Sequence, residues 1–203
     1  MITIRIQQEA ISDIEKKLDK MSKRTPAVLK KAINETAKQA KKDMLTETLK
    51  KYMIKIGSFE KSTQIKNATV NNLEAVISVK GTVQELIDFK VSATKKTTMA
   101  QVMTEGSMKE IKSKRHGTVA FVTRFESGHR AVVQRVLDKK YSSKGAEKRL
   151  KKYGPHADLT KIKKLFSTSL PKMEEKVYGV LRPEIKANLK KNIEKHINLM
   201  LEG

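Results

Sequence analysis

From Ile11 through Ile14, Leu18 and Met21 the apolar residues recur at three- and four-residue steps between charged ones, which predicts a short amphipathic helix. Ser22-Lys23-Arg24 interrupts that pattern, and Thr25-Pro26 then supplies an N-cap with proline at the first helical position. A long second helix is expected from there. Its stripe is Leu29, Ile33, Ala37, Ala40, Met44, Leu49 and Tyr52, with lysines over most of the other face, and Gly57 closes the helical region. The period then changes: Leu73, Ala75, Ile77 and Val79 alternate with their neighbours as in a strand, with Asn71-Asn72 before it and Gly81 after it as turn markers. Residues 62–70 are placed to pair with it as a hairpin.

Further strands are predicted at Leu86 to Val91, Val119 to Arg124 and Ala131 to Val136, the last two separated by Ser127-Gly128. Two polar stretches rich in Lys, Ser, Thr and Gly, 92–117 and 138–158, read as mobile loops. Pro171 opens a helix carrying Met173, Val177 and Val180, which Pro183 either kinks or ends. Ile185, Leu189, Ile193, Ile197 and Met200 continue an apolar stripe towards the C-terminus. Together these elements give an α+β fold, a single domain spanning 1–203, with a long N-terminal helix and C-terminal helices packed on a central, mainly antiparallel sheet.

Charge changes this picture more than size does. The 203 residues include 44 basic and 22 acidic ones, a formal charge of +22. A field of that size attracts polyanions, so nucleic acid or an acidic protein surface is an expected partner. The excess is densest in 138–158, where Lys139, Lys140, Lys144, Lys148, Arg149, Lys151 and Lys152 stand against Asp138, Glu147 and Asp158. These seven are the candidate phosphate contacts. The lysines along the second helix read instead as an ordinary solvated face. Tryptophan is absent and aromatics make up 4% of the chain, which argues against stacking of bases and for contact with backbone phosphate.

Cysteine is absent, which excludes disulfides and thiolate metal sites and fits synthesis in a reducing cytoplasm. No apolar run reaches membrane-spanning length and the opening MITIRIQQEA lacks the layout of a signal peptide, so a soluble, unprocessed product without membrane contact is expected. The histidines at 116, 129, 156 and 196 form no His-Glu-x-x-His pair, and neither a phosphate-binding glycine loop nor a Gly-x-Ser-x-Gly elbow is present. His129 follows the Ser127-Gly128 turn with no predictable acidic orienter, and His196 lies next to Ile193 and Ile197 as a packed or partly exposed helix residue. No catalytic, cofactor or metal residue is therefore assigned and no enzyme activity is expected.

Four strings in order resemble the tail completion and minor tail protein Z family of long-tailed phages and prophages. They are Thr25-Pro26 through Asn34-Glu35-Thr36-Ala37; Lys55-Ile56 through Lys66-Asn67-Ala68-Thr69, followed by Asn72-Leu73-Glu74-Ala75; Phe121 through Ser127-Gly128-His129 to Arg135; and Leu165 through Leu170-Pro171-Lys172-Met173. In the last, Ser167-Thr168 stands where family members usually have Gly-Pro, and the basic 138–158 segment resembles an insertion. The resemblance implies a structural virion protein, made in the bacterial host cytoplasm, that completes the tail at its head-proximal end and lets it join a filled head. It further implies a homo-oligomeric ring, sixfold by analogy, with a monomer allowed in isolation. The implied partners are the tail terminator and the head-tail connector, with non-specific contact to phage DNA. The competing readings are a generic basic nucleic-acid-binding protein, for which the charge alone suffices, and another neck component such as the tail terminator.

Overall fold

A proline in the first turn and a run of alanine, leucine and lysine make Thr25–Lys51 a helix, α1, of 27 residues. Its buried face repeats at three and four residues: Val28 and Leu29, Ala32 and Ile33, Thr36 and Ala37, Ala40, Met44, then Thr48. The computed structural model describes residues 2–5, 24–54, 62–81, 83–113 and 117–202. The short helix expected between Ile11 and Met21 lies outside them. The chain divides into two compact units, one of Met1–Lys50, Ile56–Thr82 and Ser169–Gly203, the other of Lys51–Lys55 and Val83–Thr168.

In the first unit, strands β1 (Ile2–Arg5), β2 (Thr63–Lys66) and β3 (Glu74–Val79) form an antiparallel sheet in the order β1-β3-β2, with Ile77 opposite both Ile2 and Ile65. Burial of Ala75 and Ile77 follows from the alternation seen in the sequence. Asn34 of α1 accepts from the Ala68 amide at 2.7 Å and donates to its carbonyl at 3.1 Å, which pins the chain between β2 and β3.

The last helix of this unit, numbered α3 because α2 belongs to the second unit, runs unbroken over Leu170–Leu201. Leu170, Met173, Val177, Leu181 and Ile185 form its buried stripe. It lies antiparallel to α1: Asn192 donates to Thr36 at 2.9 Å, Lys195 and His196 bond Glu35 at 2.7 Å each, and Thr48 meets Glu174 at the other end. Pro183 sits inside α3 without ending it. Its ring deprives the Gly179 carbonyl of a helical partner, but Gly179 is exposed, so solvent access makes the lost bond inexpensive. One continuous helix thus replaces the two that proline left open. Val180, expected on the buried stripe, is 66% exposed instead.

The second unit contains two three-stranded antiparallel sheets. Strands β5 (Lys90–Ala93), β6 (Thr98–Gln101) and β7 (Lys109–Glu110) are adjacent in sequence order, and β9 (Arg130–Lys140) lies between β8 (Phe121–Arg124) and β10 (Thr160–Lys164). A two-stranded ribbon joins β4 (Val83–Glu85) to β11 (Phe166–Ser169). The predicted β8–β9 hairpin is present, with Gly128 at φ 81° in the turn and Phe125 and His129 bonded across it.

Several local expectations are corrected here. Among the described residues the strands form not one central layer but four small sheets, the three-stranded ones antiparallel. Residues 86–88 form a 3-10 turn ahead of β5 rather than the start of a strand. The stretch 92–117, expected as a loop, holds β6, β7 and the end of β5. Pairing in such short strands comes from the backbone, so polar side chains on an exposed face conceal it from a hydropathy pattern. Residues 138–158 hold the end of β9 and a helix, α2 (Ser143–Tyr153), which buries no residue of its own.

Candidate functional site

Because α2 has no buried apolar stripe, polar and aromatic contacts must hold it. The guanidinium of Arg149 lies 4.9 Å from the Tyr141 ring and 5.2 Å from the Tyr153 ring, a cation layered against two aromatics. Arg149 also donates to the Asp158 carbonyl at 3.0 Å, while the Asp158 carboxylate pairs with Arg135 at 2.6 Å. Hydrogen bonds from Thr160, aided by the charges of Arg135 and Arg149, outweigh burial and hold the Asp158 carboxyl below its ordinary range. Lys152 reaches Glu126 in the β8–β9 turn at 2.7 Å, and that bond lowers the glutamate pKa and raises that of the lysine. Gly154 ends the helix at φ 87°, donating its N–H to the Leu150 carbonyl.

A cleft opens between the β8–β9 hairpin and α2. Thr123, Arg124, Phe125, Glu126 and Ser127 line it from the hairpin; Tyr141, Lys148, Arg149, Lys152, Tyr153 and Ile162 line it from α2 and its flanks. Of the seven candidate phosphate contacts, the fold brings Lys148, Arg149 and Lys152 together here. It leaves Lys139 and Lys140 on the exposed end of β9 and Lys144 in the exposed first turn of α2, while Lys151 pairs with Glu147 at 2.8 Å. Arg124 and the rings of Phe125, Tyr141 and Tyr153 join the cleft unannounced by the sequence. The Lys148/Lys152 and Arg149/Tyr153 spacings, four residues each, would have signalled a shared face had this segment been read as a helix.

His129 has the acidic partner that its sequence neighbours do not supply. Glu85, on β4, meets His129 Nε2 at 2.7 Å with one oxygen and Lys164 Nζ of β10 at 2.8 Å with the other. Burial pushes the Glu85 carboxyl up, but hydrogen bonds from Lys164 and His129 and their charges prevail and hold it below its ordinary range. Phe125 stacks against the imidazole at 6.3 Å and carries Lys164 over its ring at 5.5 Å. The group clasps three separate elements of the second unit. Among the described residues, no three His, Asp or Glu side chains converge as a metal site would require.

The hairpin that carries this cluster lies inside a stretch that matches a known family. A sequence model of that family, described as prophage minor tail protein Z (GPZ), matches residues 7–202. The chain belongs to the prophage minor tail protein Z family. It is, with that family, a structural protein of the phage tail, and its surroundings are the other proteins of the tail and neck in the virion. No curated protein and no solved structure matches the chain. Among the described residues, no helix is long and apolar enough to cross a membrane. The match takes in both compact units, and with them the cleft and the Glu85–His129–Lys164 clasp of this tail protein.

Proposed function

We propose that this tail protein completes the tail at its head-proximal end and enables the tail to join a filled head, working as one subunit of a closed ring against the tail terminator and the head-tail connector. The observation that carries the reading is the family match over residues 7–202. Surface chemistry supports it. Val180, Leu199 and Leu201 on α3, and separately Leu137 on β9 and Phe166 on β11, leave large apolar side chains exposed, as a subunit buried in an assembly would. Deleting the gene is expected to leave filled heads and full-length tails unjoined in electron micrographs of lysates, with joining restored by adding the purified protein. Normal yields of joined, infectious particles from the deletion would overturn the proposal.

Within the ring, the basic segment is proposed to meet phage DNA through its phosphates without reading bases. The convergence of Lys148, Arg149 and Lys152 in one cleft favours this. Replacing Lys148, Arg149, Lys151 and Lys152 with Gln is expected to flatten the dependence of log affinity for duplex DNA on log salt by up to about 3.6, the value for four lost phosphate contacts. An unchanged slope in a salt titration would remove these residues from the DNA surface.

A further inference from the structure

We propose that the cleft between the β8–β9 turn and α2 binds an unpaired nucleotide of DNA, its phosphate held by Arg124, Lys148 and Lys152 and its base stacked on the exposed ring of Tyr153. The proposal rests on the DNA contact proposed above and deepens it by naming the form of the polymer that the cleft takes.

The cations come from both walls. Arg124 lies on the hairpin and uses its Nε to bond the Gly128 carbonyl at 3.2 Å, which leaves the rest of its fork for a ligand; Lys148 and Lys152 stand one helical turn apart on α2. Glu126 is the single acidic residue in the lining, and its side chain is 83% exposed while it bridges to Lys152. An exposed ion pair of this kind is worth little, so a phosphate can take the place of the glutamate on Lys152. The hydroxyls of Thr123 and Ser127 add neutral donors to the same wall.

The aromatic content selects among polyanions. The chain has only five phenylalanines and four tyrosines, yet Phe125, Tyr141 and Tyr153 line this one cleft. A scarcity that argues against base stacking when averaged over the chain is reversed by this local concentration. Arg149 is layered against Tyr141 and Tyr153 and the Lys152 Nζ stands 5.4 Å over the Tyr153 ring, yet Tyr153 remains 60% exposed, so a flat group can extend the layer outward once Lys152 turns to a phosphate. An acidic peptide matches the cations but leaves that ring without a planar partner. Bases in a duplex are stacked on one another and cannot reach it. An unpaired nucleotide carries both the charge and the flat face.

The test is fluorescence anisotropy of labelled oligo-dT and of a duplex of equal length, at one salt concentration, with the full-length chain. Tyr153→Ala is expected to weaken single-strand binding by about tenfold while leaving duplex binding unchanged, and Tyr153→Phe to retain both. Lys148→Gln is expected to weaken both. Because the chain has no tryptophan, tyrosine emission offers a second readout that needs no variant: oligo-dT should quench it and poly-glutamate should not. Equal single-strand affinity for Tyr153→Ala and the native chain, with no quenching, would overturn the stacking site and leave the DNA contact standing. Displacement of oligo-dT by poly-glutamate of equal charge would make the cleft an acidic-peptide site. Failure of the native chain to bind either DNA would remove the DNA contact and this site with it.

Discussion

Between pH 4.5 and pH 7 the first unit is expected to lose about 3 kcal/mol of stability through Glu174 alone. This carboxyl lies on the buried stripe of α3 between Met173 and Val177, where its residue is 1% exposed. One oxygen has a long contact of 3.4 Å with the Thr48 hydroxyl, and the other has no hydrogen-bond partner among the described residues. Burial pushes its pKa from 4.5 up to about 7, against a smaller opposing effect of the Thr48 bond. The folded chain therefore binds a proton here more tightly than the unfolded chain does. The contribution is complete below the unfolded value of 4.5, declines as pH rises through the window, and is gone above about 7, when the carboxyl is ionised in both states. Urea unfolding at several pH values should show this decline in the native chain and lose most of it in Glu174→Gln, which keeps the shape and the Thr48 contact without a charge. At pH 8 the variant should be the more stable. Equal pH slopes for the two would show that the carboxyl is not held neutral by burial.

Leu29→Ala is the second large effect, expected to cost about 2–5 kcal/mol because it removes buried methyl groups and leaves a cavity that the surroundings fill only in part. Leu29 is 0% exposed on α1. For a chain of this length such a loss lowers the thermal midpoint of the transition by about 10 °C. Val180→Ala is the matched control. Both residues sit on apolar periodicities in the sequence, but Val180 faces solvent on α3, and truncating it should change stability by no more than about 0.5 kcal/mol. Thermal melts followed by circular dichroism compare the two directly. Similar losses at both positions would mean that α3 presents a different face from the one described.

The contrast between Leu29 and Val180 shows where periodicity is enough. In α1 nearly every apolar position has the same spacing and a proline marks the start, so the helix and its buried face follow from local residues. In α3 the stripe turns gradually around the helix axis. Which of its apolar residues is covered depends on where α1 lies, and Asn192, Lys195 and His196 meet α1 through residues far away in sequence. The same holds for the site. A dense lysine run was legible, but the helix that organises it was not, because α2 buries no apolar residue and is held by Tyr141, Glu126 and Asp158 from outside its own span. His129 lacked a visible orienting acid for the same reason, since Glu85 stands 44 positions away.

By itself the sequence determined the α1 stripe and its proline start, the alternation of β3 and its hairpin with β2, the turn at Ser127-Gly128, a proline in the first turn of α3, the excess of positive charge and the family. All of these are set by neighbouring residues or by composition. Only the tertiary structure decided that the described strands form four small sheets, that α3 continues through Pro183, and that three of the candidate cations share a cleft with three aromatic rings. Those outcomes depend on pairing and packing between distant segments, where backbone hydrogen bonds, solvent access at a single turn and contacts across elements outweigh the preferences of the local chain.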